Sequence, residues 1–213
     1  MPVDPGLFAT FLLTVTVLCV VPGPDQLFIV AQGIRRGPRG GAAAAIGMTG
    51  GMLFHTAAAV IGLSALVQSS AAALALLRYA GAAYLLWLAI AALRGRHGAA
   101  TAPESGAHAE DGLPAARIVR QAMITNVLNP KIIVFYVAFL PQFLDPARGA
   151  IGLQLLVLGL TFMLVGLVID LAVGIGAGRL GRRLAGSRRA GRVLDRLSGV
   201  VFAGLAARLV ADR

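Results

Sequence analysis

An apolar stretch of the kind that crosses a bilayer is interrupted by Pro22-Gly23-Pro24, and a second, later in the chain, by Asn129-Pro130-Lys131. Proline has no backbone N–H and clashes with the preceding turn, so each site is expected to break its helix. Inside a membrane, freed backbone groups are tolerated only where protein or a wet cavity surrounds them. The two interruptions therefore predict a protein-lined polar spot at bilayer depth.

The rest of the composition agrees with a membrane setting. Of 213 residues, 58% are hydrophobic and 13% charged, and the mean hydropathy is +0.82. Soluble domains of this size rarely look like that. Apolar runs cover approximately 7–30, 42–67, 71–93, 118–140, 149–173 and 194–210. A run of ~20 residues spans a ~30 Å hydrocarbon core, so the expected fold is all-α with six transmembrane helices. No Lys or Arg precedes the first run, only Asp4. That run is expected to be a retained span rather than a cleaved signal peptide.

The net charge of +10 does not point to nucleic acid, because the arginines cluster between apolar runs. Arg35, Arg36 and Arg39 follow the first run; Arg94, Arg96, Arg117 and Arg120 follow the third. Arg179, Arg182, Arg183, Arg188, Arg189, Arg192 and Arg196 follow the fifth. The alternate connections carry none around Gln68-Ser69-Ser70 and only Arg148 near Asp145. The positive-inside rule puts the arginine-rich segments in the cytoplasm and both termini outside. Arg78 lies inside the third run, where snorkelling toward the outer face is expected. The lone Cys19 excludes an intrachain disulfide, paired-thiol redox chemistry and a multi-cysteine metal site, leaving a packing role. His97 and His108 have no nearby Cys or third His to complete a metal site, and neither metal nor cofactor is expected.

Residues 94–116, rich in Gly, Ala, His and acid, read as a cytoplasmic linker between residues 1–93 and 117–213. Each half holds a proline-broken run, then Gly37-Pro38-Arg39-Gly40 or Asp145-Pro146-Ala147-Arg148-Gly149, then another run. An odd number of spans per half inverts the second relative to the first. Two inverted three-helix repeats, with helices 1 and 4 broken at proline, are the plan of many secondary transporters. Gly47 and Gly51, and Gly174 and Gly178, have the spacing that lets helix backbones approach.

The candidate substrate-binding residues are Pro22, Gly23, Pro24, Asp25, Asn126, Asn129, Pro130 and Lys131. Two restarted helices would present N–H groups and positive dipole ends to a carboxylate. Gly23 would let a ligand approach the backbone. Asp25 can cap its helix, pair with an ammonium group or carry a proton, and Lys131 occupies the mirrored place. The two are expected to lie close together, either as part of the substrate site or as a static pair that fixes packing. Asn129 is placed to cap the helix at Pro130, and Asn126 to contact substrate or bridge helices. Asp25, His55 and Asp170 are the proton-coupling candidates. For His55 a satisfied buried ring is the alternative. For Asp170 it is a place near the cytoplasmic end of its span, close to Arg179.

Pro22-Gly23-Pro24-Asp25, Gly33, Gly37, Arg39-Gly40, Gly47, Gly51, His55 and Gly62-Leu63 resemble the first half of the lysine exporter (LysE/RhtB) family. Gly81-Ala82-Ala83-Tyr84-Leu85 is similar to its third helix, and Asn126-Val127-Leu128-Asn129-Pro130-Lys131 and Leu140-Pro141-Gln142-Phe143 to its second half. The resemblance implies a multi-pass inner-membrane secondary transporter exporting amino acids or close derivatives of the threonine, homoserine or lysine type. It implies coupling to a proton or other ion gradient, as an antiporter, rather than to ATP. The chain has no phosphate-binding Gly-rich loop. Many relatives carry Asn where this chain has Asp25. The implied partners are the amino acid, the coupling ion and the lipid bilayer; a homo-oligomer stays open. Competing readings are a membrane-embedded enzyme with His55 and Asp170 as acid–base groups, a thiol carrier lacking its second thiol, and a small-ion or metal permease with Asp25 and Asp170 as oxygen ligands.

Overall fold

The computed structural model describes residues 2–21, 23–64, 71–94 and 114–184, with isolated positions between 196 and 210. Pro22, the turn at 65–70, residues 95–113 with His97 and His108, and most of the last apolar run lie outside the described residues. The side chain of Arg78 does too.

All described regular structure is helical. Helix α1 spans Pro5–Val20. Asp4 caps it, its Oδ1 accepting from the N–H groups of Gly6 and Leu7 at 2.9 and 3.1 Å. The chain turns extended at Val21, and α2, Pro24–Ala58, begins with proline at its first position, where the missing N–H costs nothing. A π-helical turn, Ala59–Leu63, prolongs it. Helix α3 is Ala71–Leu93, and α4 is Ala115–Val127. Helix α5, Pro130–Val134, runs on through a π turn, Phe135–Phe139, and a 3-10 turn, Leu140–Phe143. The axis bends by 48° between α4 and the 130–143 segment. A 3-10 turn at Pro146–Arg148 leads to α6, Ile151–Leu184.

Two element boundaries correct the sequence expectation. Residues 31–41 were expected to connect two spans as a loop. Instead the connection shrinks to the single residue Gly37, whose φ of 71° breaks the helix just before Pro38 and folds its two segments back on each other: Gly33 and Gly41, on either side of the break, both lie against the Gly174 carbonyl oxygen. Glycine takes that left-handed conformation without steric penalty. Both segments lie with their backbones against α6. Likewise α6 does not stop with its apolar run at 173 but carries Gly174, Gly178 and Arg179 on to Leu184. Hydropathy marks where lipid ends, and a helix need not end there.

Taken across its break at Gly37, Pro24–Leu63 is long and apolar enough to cross a membrane, as is Ile151–Leu180. The bent pair Ala115–Val127 and Pro130–Phe143 makes a third crossing if it counts as one span. Pro5–Val20 and Tyr79–Ala91 are shorter apolar helices.

Glycines set the packing. A Cβ on Gly33 would stand 2.6 Å from the Gly174 carbonyl oxygen, and Gly41 meets the backbone of Gly174 more closely still. Gly178 meets Gly37 and Pro38 in the same way. So α2 and α6 touch backbone to backbone. Gly47 and Gly51 instead face α4, at Val119, Ala122 and Asn126. Around α1 and α5 the filling is aromatic. Phe11 meets Phe143 edge-on at 5.1 Å, and Phe135 meets Phe162 at 4.6 Å. The outside is apolar: Ile61 is 78% exposed, Leu13 67% and Val168 66%, while Asp25, Lys131 and Asp170 are buried. Water-soluble proteins show the reverse arrangement, whereas a lipid solvent favours this one.

Candidate functional site

The buried charges gather where α1 ends, α2 begins and α5 begins. Helix ends leave backbone groups without partners, and here side chains from other elements supply them. Lys131, in the first turn of α5, sends its ammonium back to the end of α1. Nζ lies 3.0 Å from Asp25 Oδ2, 3.2 Å from Asp25 Oδ1 and 3.3 Å from the Val21 carbonyl oxygen. Three acceptors match three N–H donors, so the ammonium is fully satisfied although its residue is 3% exposed.

The two helix starts are handled differently. Gly23 precedes α2 in extended conformation, and no side chain caps that helix. A Cβ on Gly23 would fall 2.6 Å from Asp25 Oδ1 and 3.0 Å from Lys131 Nζ, so a side chain here would push the ion pair apart. Asn129 does cap α5, its Oδ1 accepting from the Lys131 N–H at 3.0 Å. Asp25 suits the positive end of its helix dipole and Lys131 opposes that of its own. The carboxylate opposite Lys131 offsets the mismatch.

Next to Asp25, Gln26 reaches across to α6. Its Nε2 donates to Asp170 Oδ1 at 2.6 Å and to the Cys19 carbonyl oxygen at 3.2 Å. Asp170 thus sits in the buried cluster, bonded to Gln26 rather than to Arg179, nine residues further along α6. His55 lies elsewhere. Its Nε2 is 3.4 Å from the Asn126 carbonyl oxygen, and its ring stacks on Tyr136 at 5.4 Å. The Tyr136 hydroxyl in turn bonds Thr56 at 2.8 Å. No hydrogen bond joins His55 to Asp170 among the described residues.

A cavity of about 10 Å³ lies at the centre of the cluster. Asp25, Gln26, Asn126, Lys131 and Asp170 supply its polar wall; Leu18, Met52, Ile132 and Phe162 supply much of the apolar one. That volume holds about one water molecule. Asn126 Oδ1 and Asn129 Nδ2 are buried without hydrogen-bond partners, which leaves one acceptor and one donor uncommitted beside the second helix start. Of the residues singled out from sequence, Asp25, Asn126, Lys131 and Asp170 line the cavity, while Gly23 and Asn129 support the pair from behind. His55 stands outside the lining. Sequence reasoning missed Gln26, whose signal was available as a polar residue in the first turn after a proline break. It also missed Met52 and Phe162, which look like any other apolar residue. Among the described residues no cluster of three or more His, Cys, Asp or Glu could hold a metal ion.

An apolar exterior around a small buried set of charges, gathered where helices end and begin, defines an all-helical membrane protein. The chain belongs to the LysE type translocator family, which matches it over residues 16–213; these are the amino-acid efflux transporters that the sequence resembles. It is 35% identical over 201 residues to an uncharacterized membrane protein of Vibrio cholerae, covering 94% of this chain and 95% of that one. It is 30% identical over 204 residues to a leucine efflux protein of Enterobacter sp. (strain 638), covering 96% and 95%. It is 35% identical over 175 residues to a homoserine/homoserine lactone efflux protein of Salmonella typhi, covering 82% and 80%. No solved structure matches the chain.

Proposed function

We propose that this protein exports amino acids or close derivatives across the inner membrane by alternating access, driven by a proton or other ion gradient. The observation that carries this reading is the Asp25–Lys131 pair, which joins two helix starts 106 positions apart at a buried cavity. A zwitterion suits this cluster: its carboxylate can take Lys131 and the helix N–H groups, and its ammonium a buried carboxylate. The substrate site comprises Pro22, Gly23, Pro24, Asp25, Asn126, Asn129, Pro130 and Lys131, with Asp25, His55 and Asp170 as groups for proton coupling. Leu18, Met52, Ile132 and Phe162 form an apolar wall beside the charges. Together with the relatives named for leucine and homoserine, that wall favours a small uncharged side chain.

A cavity the size of one water molecule cannot admit an amino acid, so the described conformation is a closed one and transport requires the helices to separate. The architecture in this reading is six spans in two inverted repeats, residues 1–93 and 117–213, joined by a cytoplasmic linker at 94–116. The bent α4–α5 segment and the α1–α2 junction are its two broken spans, and the arginine-rich segments face the cytoplasm. The competing enzyme reading needs His55 and Asp170 around one pocket, and only Asp170 lines it.

Proteoliposomes loaded with a panel of labelled amino acids and given an imposed proton gradient test the proposal. One class should leave the vesicles, and Asp25→Asn and Lys131→Ala should each abolish its efflux when equal amounts of protein are reconstituted. Full efflux by both variants, or none of any amino acid by the unaltered protein, overturns it.

A further inference from the structure

The buried charges do not balance. Asp25 and Lys131 neutralise each other at 3.0 Å. Asp170, 6% exposed, takes part in no ion pair among the described residues, and its partner is a neutral amide, that of Gln26. A carboxylate removed from water with one neutral donor is poorly compensated. Two species can complete it: a proton, or an ammonium group placed in the cavity that Asp170 lines. The other ionisable groups lining that cavity are Cys19 from α1, Asp25 from α2 and Lys131 from α5. Asp25 and Lys131 already hold each other. His55 and Tyr136 are directed to Asn126 and to Thr56 and Met52.

Resting on the exporter reading above, we propose that Asp170 binds a proton and the substrate's ammonium group in turn, with Gln26 as the positioning residue that aims its carboxylate into the cavity. When the ammonium arrives, the proton leaves the Asp170 carboxyl for water, and no bond of the substrate changes. Each substrate bound therefore displaces one proton, which is the exchange an antiporter needs. The geometry is suited to it. A solute in this cavity meets both the Asp25–Lys131 pair and Asp170. Gln26 also donates to the Cys19 carbonyl at the end of α1. Any change at Asp170 is thus felt where α1 gives way to α2.

The test is calorimetric binding of L-leucine, L-homoserine, L-threonine and L-lysine to the purified full chain, in two buffers of different ionisation enthalpy, with efflux measured in parallel. For the amino acid that binds, about one proton should be released per molecule, and affinity should weaken about tenfold per unit of pH in the acid range where Asp170 holds its proton. Its 2-hydroxy analogue, which lacks the ammonium, should release none. Asp170→Asn should release none and bind at least about tenfold more weakly, the size of one lost charge-assisted contact. Gln26→Leu should displace the midpoint of the pH profile while one proton is still released. Undiminished proton release in Asp170→Asn overturns the inference. So does equal release by the hydroxy analogue, or an affinity that ignores pH; these last two need only the unaltered protein. Failure to bind or export any of the four defeats the exporter reading as well, whereas export without proton release defeats this inference alone.

Discussion

The ion clusters at Lys131 and at Arg148 both join the first half of the chain to the second, at N–O distances of 3.0 Å. One is Asp25 with Lys131, buried at the cavity. The other is Arg148 at the surface, which bonds Asp4 at the start of α1 and Asp145 three residues upstream. Side-chain exposure is 3% and 10% in the first pair, 40% and 36% between Arg148 and Asp4. Distance alone would rank them equal. Environment separates them, because removing one partner at the surface hands the other to water, while removing one in the interior strands a charge.

Lys131→Ala should sharpen the contrast most. It leaves Asp25 buried without its cation, a loss of about 3–5 kcal/mol, seen as a large fall in thermal unfolding temperature together with lost efflux. The double variant Asp25→Asn, Lys131→Met should regain most of that stability and none of the transport. Efflux from the double variant would reduce the pair to packing.

Gly41→Val comes next. Its side chain would enter the Gly174 backbone, which cannot rotate away, so overpacking of about 1–3 kcal/mol or more is expected. The purified protein should unfold earlier and transport less. Gly176→Val, where a Cβ meets nothing within 4 Å, is the control. Asn129→Ala removes the cap of α5 and should cost about 1 kcal/mol, measurable by thermal unfolding, with Asn129→Ser restoring most of it.

Arg148→Ala should have the smallest effect, and one that salt abolishes. Asp4 also sets a pH dependence. The Leu7 N–H first, then the Gly6 N–H and the Arg148 guanidinium, hold its carboxyl below the ordinary value of 3.8. A group whose folded value is depressed stabilises the fold above its unfolded value and loses that contribution as pH falls through the folded one. The Asp4 contribution should therefore be intact at neutral pH and fade in strong acid, below 3.8. A titration followed by unfolding temperature in the wild type and Asp4→Asn checks the sign.

What the sequence disclosed follows from how local each signal is. Helix starts at Pro24 and Pro130 were readable because proline at the first helical position is chemistry of one residue. The cap at Asn129 was readable for the same reason. Asp25 and Lys131 stood out as charges in apolar runs, and their juxtaposition was a guess that geometry made definite. Gln26 was overlooked because an uncharged amide carries little cost on a hydropathy scale. Its importance comes from α6, which sits 144 positions away. The side of α6 that Asp170 occupies depends on how Gly174 and Gly178 dock on α2, and no local pattern reports that. Gly37-Pro38 read as a loop because such dipeptides usually end helices. The helix does break there, at Gly37, but the break is one residue long because contact with Gly178 holds helical turns close on either side.

The seam between α2 and α6 has a mechanical consequence. Gly33 and Gly41 lie on the main chain of Gly174, and Gly178 on that of Gly37 and Pro38, whereas farther along Met52 seats against Gly166 and Thr56 against Gly159, so the seam is smooth near the break at Gly37 and keyed by side chains beyond it. At the smooth end the backbones can slide past one another with little rotamer rearrangement, while the keyed stretch resists any such shift.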